Sequence, residues 1–159
     1  MKPLRKHAAL AIDGGGIRGA MVAKALAIVE EELGKPCADL FEVMAGTSTG
    51  SIISAAVAAG VQAREIHALY VRLGETIFRK TWRSYWPLAG DKFSGKPLET
   101  ALRDVLGEGT MGEFWSSSKP LDVVITVRDL VENRTRFVKS WKPEYQAWKA
   151  WYAVLCSST

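Results

Sequence analysis

This chain of 159 residues has only two cysteines and no long apolar run, which argues against a metal-binding, a disulfide-bonded or a membrane-spanning protein. Its two cysteines, Cys37 and Cys156, lie far apart and belong to no metal-ligand spacing, so we predict reduced thiols, no metal site and no cofactor. No apolar run reaches the ~18 residues that a membrane span needs. The longest, residues 52–61, is interrupted by Ser54 and Gly60.

The amino terminus also lacks a secretory signal. Its basic residues are followed by an apolar stretch that stops at Asp13, short of a signal core of ~7–15 residues with a cleavage site. Lysine plus arginine exceed aspartate plus glutamate by only 21 − 17 = 4, which is too mild to indicate a nucleic-acid partner. We therefore expect a cytoplasmic protein that can associate peripherally with a membrane surface and binds no nucleic acid.

What the sequence does contain is a serine at the centre of a glycine-flanked motif. The motif consists of Gly46, Thr47, Ser48, Thr49 and Gly50. It follows the apolar run 41–45 and precedes the helix-like run 51–59. A serine on a tight strand-to-helix turn projects its hydroxyl away from both elements, and glycines two residues away permit close packing. Ser48 is the predicted nucleophile, and the other four residues form its elbow.

A second glycine cluster follows the apolar run 8–12 and opens another helix-like segment. It comprises Asp13, Gly14, Gly15, Gly16, Ile17, Arg18 and Gly19. Consecutive glycines leave backbone N–H groups unshielded, and a helix amino terminus adds partial positive charge. The cluster is thus predicted to supply an oxyanion hole for Ser48. The oxyanion and substrate-binding candidates are Gly14, Gly15, Gly16, Arg18 and Gly19, with the Gly15 and Gly16 N–H groups as donors.

Together the two motifs resemble those of patatin-like phospholipases, Asp-Gly-Gly-Gly-x-Arg/Lys-Gly followed by Gly-x-Ser-x-Gly. The resemblance is strong over residues 7–60. It implies a lipid acyl hydrolase of the phospholipase A or lysophospholipase type that uses a Ser-Asp dyad and acts on glycerolipids or phospholipids. The expected fold is a three-layer α/β/α arrangement around a mostly parallel central sheet.

The family's dyad aspartate, which precedes Gly-Gly or Gly-Ala far downstream of the serine, has no counterpart here. The downstream aspartates are Asp91, Asp104, Asp122 and Asp129, and none precedes a glycine. We therefore expect residues 1–159 to be the N-terminal portion of a single patatin-like domain, truncated before the dyad Asp, with an incomplete sheet. Alone, this chain should be inactive or weakly active, because an unassisted hydroxyl is a weak nucleophile.

The histidines and Asp13 are weaker candidates for the base. An α/β-hydrolase triad places its histidine late in the chain, whereas His67 lies only nineteen positions after Ser48, on a helix-like face, and His7 precedes both motifs. We interpret His67 as a packing or surface residue. Asp13, at a strand end, is expected to hold the glycine turn rather than to act in catalysis.

Two alternatives remain open at this point. Gly14, Gly16 and Gly19 also satisfy the dinucleotide fingerprint Gly-x-Gly-x-x-Gly, which needs an acidic residue at the end of the next strand. That strand ends in Ala45 and Gly46, and Asp39 comes before it. The other alternative is a catalytically silent lipid-binding or interaction domain that lacks its base.

Hydrophobic periodicity predicts four strands and five helices. The strands cover residues 7–12, 41–45, 121–127 and 135–141, the last two as a hairpin. The helices cover 18–33, the segment from Ser48 to Gly60, 62–73, 98–106 and a segment beginning at Pro143. Residues 75–96 are predicted as a loop or broken helix. Within them the aromatic and basic stretch 78–86 favours core aromatics under a basic strip, with insertion at a lipid interface as the alternative.

Overall fold

The computed structural model describes residues 7–76 and 95–158. The strands are β1 (Ala9–Ile12), β2 (Val43–Thr47), β3 (Asp122–Asp129) and β4 (Arg134–Lys139). The α-helices of the described residues are α1 (Gly19–Leu33), α2 (Thr49–Ala58), α3 (Ala63–Thr76), α4 (Gly95–Leu106), α5 (Met111–Ser116), α6 (Pro143–Gln146) and α7 (Ala150–Ser158). The aromatic and basic stretch 78–86 lies outside the described residues.

The four strands form one sheet in the order β1-β2-β3-β4. The first three are parallel, and β4 pairs antiparallel with β3. The predicted hairpin is confirmed, and its turn includes Asn133 in the left-handed region with a φ of 51°. Parallel strands joined through helices give the α/β class that was predicted, with a mostly parallel sheet.

The core lies between one face of the sheet and helices α2 and α7. Along β3, burial alternates: Val123, Ile125 and Val127 are buried, and the intervening side chains are only half-buried. Helix α2 packs against β2 and β3, and α7 lies beside it on β3. Nearly all of α2 is buried, because its alanines and serines are small enough for close approach on every side. The turn that carries Ser48 therefore begins the most deeply buried helix of the described residues.

Helix α1 exists as predicted, but its periodic large residues do not mark its buried face. Met21 is 73% exposed and Ile28 is 48% exposed, whereas Gly19, Ala23 and Leu26 are buried. Helix α1 packs mainly on α3, and the small residues permit a close helix-to-helix approach that larger side chains would prevent. Periodicity thus predicted the helix but did not indicate which of its residues form the contact face.

Several element bounds differ from the predicted ones: β2 spans Val43–Thr47 rather than 41–45, and α4 begins at Gly95 rather than at residue 98. Three further differences concern α3, the last helix and α5. Helix α3 continues to Thr76, past Gly74, which was expected to end it. The last helix is split into α6 and α7, because Lys149 leaves the helix to form an isolated bridge with Thr110. Thr110 also begins the short helix α5, which was not predicted, through a capping box with Glu113. Long-range pairing decided the split of the last helix, whereas the Thr110–Glu113 capping box is a local pattern that the sequence analysis missed.

Both cysteines are free thiols, as expected from their spacing. Cys37 is completely buried, and its N–H donates to Glu30 Oε1 at 2.8 Å. Burial, reinforced by the neighbouring Glu30 carboxylate, raises the pKa of the Cys37 thiol to about 12. Cys37 is consequently a neutral packing residue rather than a reactive one.

Candidate active site

Ser48 lies at the turn between β2 and α2 in a backbone conformation that is unusual for a side-chain-bearing residue. Its φ is 53° and its ψ is −121°. Among the described residues, Ser48 and Asn133 are the non-glycine positions with positive φ. Such a conformation costs on the order of 1–3 kcal/mol and persists only where the surroundings impose it. The strained strand-to-helix turn is the geometry that exposes a nucleophilic serine.

Two glycines allow this turn to form. A Cβ added at Gly46 would lie 2.3 Å from the carbonyl carbon and oxygen of Gly50. A Cβ added at Gly50 would lie 2.1 Å from the Ile12 carbonyl oxygen. Both distances are far below van der Waals contact, and the atoms concerned are backbone atoms that cannot move aside. The glycines therefore let β2, α2 and the end of β1 meet at one point.

The Ser48 backbone is held on both sides, while its side chain is not. The Ser48 carbonyl accepts hydrogen bonds from the Ser51 N–H at 2.9 Å and the Ser51 hydroxyl at 2.5 Å. The Ser48 N–H donates to the Ser157 hydroxyl oxygen at 2.8 Å. Within residues 7–76 and 95–158 we find no hydrogen bond of the Ser48 hydroxyl itself. The half-buried side chain is thus presented by a fixed backbone with its hydroxyl available.

The glycine cluster leaves β1 directly beside this turn. Ile12 pairs with Gly46 in the parallel ladder, so the residues that follow each of them emerge at the same edge of the sheet. A Cβ added at Gly14 would lie 3.1 Å from Ser48 Cβ and 3.2 Å from the Thr47 carbonyl oxygen. The structure therefore brings the two sequence motifs into contact at the carboxyl ends of neighbouring strands.

The two predicted oxyanion donors differ in their surroundings. The Gly15 N–H donates to the Thr49 hydroxyl oxygen at 3.0 Å, so it is occupied here and not free as the sequence suggested. Gly16 has a φ of 56°, and in the described part of the chain its N–H has no hydrogen-bond partner. The exposed Arg18 folds back on the loop, with Nε donating to the Gly15 carbonyl at 3.3 Å.

Position 19 must be glycine because of packing against Tyr70, which the motif alone does not reveal. A Cβ at Gly19 would lie 2.8 Å from the ring of Tyr70. Tyr70 is buried on α3, and its hydroxyl donates to the Thr49 carbonyl at 2.8 Å. Burial raises the pKa of Tyr70 above its usual range, so the hydroxyl stays a neutral donor. Gly19 and Tyr70 together dock the glycine loop and its helix against the elbow.

Tyr70 and Ser157 are site residues that sequence reasoning missed. Neither residue was singled out from the sequence. Neither stands in a recognisable motif, and Ser157 is separated from Ser48 by 109 positions. A buried tyrosine does need a partner for its hydroxyl, which was the one signal available for Tyr70.

We predict that Thr49→Val loosens the glycine loop. Valine has the shape of threonine but cannot accept the Gly15 N–H, and Thr49 is buried, so the free energy of unfolding should fall by ~1–2 kcal/mol. Urea denaturation measures this change. Thr49→Ser is the matched control, because it keeps the hydroxyl and should retain most of the stability. A loss in Thr49→Ser as large as that in Thr49→Val would contradict the prediction, because Thr49→Ser removes only the methyl group and keeps the hydroxyl that accepts the Gly15 N–H.

The histidine nearest the sheet lies at the wrong edge to assist Ser48. His7 Nδ1 lies 2.6 Å from Glu42 Oε2, and these residues precede β1 and β2. Ser48 follows β2, so the length of the strand separates it from this pair. His67 is half-buried on α3, consistent with its interpretation as a packing or surface residue.

The described aspartates downstream of Ser48 have other environments. Asp122 begins β3 at the far edge of the sheet, and burial raises its pKa. Asp129 closes the hairpin: its carboxylate accepts the Glu132 N–H and an Arg136 Nε hydrogen bond at 2.6 Å, and these contacts lower its pKa. Asp104 is exposed on α4, and Asp91 lies outside the described residues. The Asp129 carboxylate, already committed to these partners, is a poor proton acceptor, and Asp122 pairs with Val43 at the opposite end of β2 from Ser48.

Asp13 lies at the same edge of the sheet as Ser48 and is exposed. Its carboxylate makes no hydrogen bond to the parts of the chain that the structure describes, so the expected role in holding the glycine turn is not observed. The same described residues contain no group of three or more His, Cys, Asp or Glu side chains arranged to hold a metal ion. None of their helices is both long enough and apolar enough to cross a membrane.

The family model for patatin-like phospholipases matches residues 10–158, a span that includes both motifs and all four strands except the first residue of β1. The chain belongs to the patatin-like phospholipase family. The match favours the hydrolase interpretation of the glycine cluster over the dinucleotide one, because it includes Gly14, Gly16 and Gly19 together with the serine motif.

Curated relatives agree with this assignment. The chain is 31% identical over 135 residues to the intracellular phospholipase A2 of Caenorhabditis elegans, covering 84% of this chain and 12% of that protein. It is 31% identical over 160 aligned positions to patatin-like protein 2 of Oryza sativa, covering 88% and 38%. It is 34% identical over 118 residues to the cUMP-AMP-activated phospholipase of Escherichia coli, covering 70% and 36%. The chain thus spans well under half the length of these relatives.

Solved structures confirm the fold class. The type III effector protein ExoU superimposes with a TM-score of 0.58 at 17% identity, over 97% of this chain and 39% of that one. Full-length ExoU of Pseudomonas aeruginosa, solved in complex with SpcU, gives a TM-score of 0.59 at 20% identity. At this identity the likeness shows the three-layer α/β fold and carries no information on substrate.

Proposed function

We propose that this chain contributes the nucleophile and the oxyanion loop of a lipid acyl hydrolase that acts on glycerolipids or phospholipids. The observation that carries the proposal is the strained turn at Ser48, whose Cβ lies 3.1 Å from the position of a Gly14 Cβ. A catalytic serine needs an exposed hydroxyl next to N–H donors, and this contact places the glycine loop beside it. Family membership supplies the substrate class.

In the proposed reaction, the Ser48 hydroxyl oxygen attacks the ester carbonyl carbon while its proton passes to an aspartate. The tetrahedral intermediate collapses, the lipid alcohol leaves with that proton, and an acyl-serine remains. Water then attacks the acyl-serine while the same carboxylate accepts its proton; the carboxylate returns that proton to the leaving Ser48 oxygen, and the fatty acid is released. The described aspartates downstream of Ser48 are not placed to serve, and Asp91 is followed by lysine rather than glycine, so the proposal assigns this role to an aspartate that residues 1–159 do not include.

The oxyanion of each tetrahedral intermediate would be bound by the glycine loop. In the proposal the Gly16 N–H is one donor, and the Gly15 N–H becomes the second when it exchanges the Thr49 hydroxyl for the substrate oxygen. Gly14 leaves the space that the substrate carbonyl requires. Arg18, whose guanidinium is exposed beside the loop, adds positive charge toward the oxyanion or a lipid phosphate.

A fluorophosphonate probe tests the nucleophile directly. In the full-length protein that contains these residues, we expect the probe to modify Ser48 stoichiometrically, because only an activated serine reacts with it at a useful rate. Peptide mass spectrometry locates the adduct. The exposed Ser117 is the internal control and should remain unmodified.

Two results would count against the proposal. Absence of labelling, with lipid binding retained, would favour the catalytically silent lipid-binding domain. Calorimetric binding of a dinucleotide without labelling would favour the nucleotide-binding alternative.

A further inference from the structure

We propose that Ser157 is a positioning residue for the nucleophile: its hydroxyl fixes the backbone of Ser48 and ties the elbow to the neighbouring strand. This inference rests on the proposed function of Ser48. Ser157 is the second-to-last residue of α7, and its hydroxyl lies between two backbone groups. It accepts the Ser48 N–H at 2.8 Å and donates to the Thr126 carbonyl at 2.6 Å.

The direction of both hydrogen bonds is determined by the atoms available. A carbonyl cannot donate and an N–H cannot accept, so the single hydroxyl proton of Ser157 must point to Thr126 and a lone pair must receive the Ser48 N–H. No second arrangement satisfies both backbone groups. The hydroxyl therefore acts as a fixed bridge rather than as a rotating surface group.

The bridge lies where β2 leaves the sheet. Thr47, the last residue of β2, pairs with Thr126 in the parallel ladder, and Ser48 is the first residue beyond that pair. The Ser157 hydroxyl is inserted between the Ser48 N–H and the β3 backbone at this point. The hydroxyl thus accepts the Ser48 N–H, which has no partner in the β2–β3 ladder because Ser48 lies beyond its last residue pair.

Ser48 needs such a support because its conformation is strained. Its carbonyl is held within the first turn of α2 by Ser51, but that bond restrains only the side of the residue that enters the helix. For the N–H, Ser157 is the partner found among the described residues. If the peptide between Thr47 and Ser48 rotates, the Ser48 side chain moves relative to Gly14, whose Cβ position lies 3.1 Å from Ser48 Cβ.

The neighbouring Ser158 provides a matched control. Its hydroxyl donates to the Val154 carbonyl at 2.9 Å, four residues earlier in the same helix, and among the described residues it has no hydrogen bond to the elbow. Ser157→Ala and Ser158→Ala therefore delete the same group from the same half-buried helix end. Ser157→Thr keeps a hydroxyl on the same carbon and should rescue the effect of its removal.

The experiment measures the second-order rate of fluorophosphonate labelling of Ser48 in the full-length protein, alongside kcat, KM and the melting temperature. We expect Ser157→Ala to lower the labelling rate and kcat by ~10–100-fold with little change in KM, since a displacement of about 1 Å at the reacting group can cost ~100-fold. Ser157→Thr and Ser158→Ala should label within about threefold of the wild type, a margin below the ~5-fold that 1 kcal/mol represents.

The outcomes separate this inference from the proposed function. If the wild type does not label at Ser48, the proposed function fails and this inference with it. If the wild type labels and folded Ser157→Ala labels at the same rate, the positioning role alone is overturned. Should Ser157→Ala not fold, Ser157→Cys decides, because the thiol is a weak donor and acceptor: slower labelling supports the bridge and an unchanged rate refutes it.

Discussion

Replacing Ser48 with alanine in the full-length protein is expected to reduce ester hydrolysis by ~10⁴-fold or more, the scale on which loss of a catalytic serine acts in hydrolases. The reason is chemical, because alanine has no atom that can form the acyl intermediate. The backbone contacts of position 48 do not involve the side chain, since the N–H bonds to Ser157 and the carbonyl to Ser51. Stability should therefore change little while turnover disappears.

The measurement is kcat/KM on a short-chain chromogenic ester and fatty-acid release from phospholipid vesicles. Ser54→Ala is the matched control on α2, the helix that follows Ser48: the Ser54 hydroxyl is buried, and no hydrogen-bond partner is found for it among the described residues. Removing it should preserve activity. Substantial hydrolysis by purified Ser48→Ala would show that the nucleophile is a different residue.

Replacing Gly50 with alanine is expected to prevent stable folding. The added methyl carbon would lie 2.1 Å from the Ile12 carbonyl oxygen and 2.8 Å from its carbonyl carbon. Relief requires β1 and the start of α2 to separate, which also opens the contact between the glycine loop and Ser48. We expect a loss of ~4 kcal/mol or more, a large part of the 5–15 kcal/mol that stabilises a typical domain.

Gly34→Ala is the control that separates crowding from backbone preference. Gly34 ends α1 with a φ of 61°, and a Cβ there would meet nothing within 4 Å. Its replacement should cost only ~1 kcal/mol, the expense of a left-handed alanine. Urea denaturation of both variants in the full-length protein gives the comparison. A cost at Gly50 no greater than that at Gly34 would contradict the packing shown at the elbow.

Most strands, most helices and both motifs of the candidate site could be predicted from the sequence, because each is formed by a contiguous chain segment. The strand, turn and helix around Ser48 are contiguous, and glycine at positions 46 and 50 signals close packing whatever surrounds it. The same holds for the glycine cluster after β1 and for the hairpin of β3 and β4. Short-range sterics and periodicity determine such units, so a single chain segment contains the information needed to predict them.

The tertiary structure decided which groups these units meet. It placed the Thr49 hydroxyl on the Gly15 N–H, Tyr70 on the Thr49 carbonyl, and Ser157 on the Ser48 N–H. It also determined the buried face of α1, where Ala23 is buried and Met21 is exposed. These outcomes depend on which elements pack together over separations of 21 to 109 residues. A periodic pattern shows that a helix has an apolar side, but the partner's shape determines which small or polar groups fill the contact.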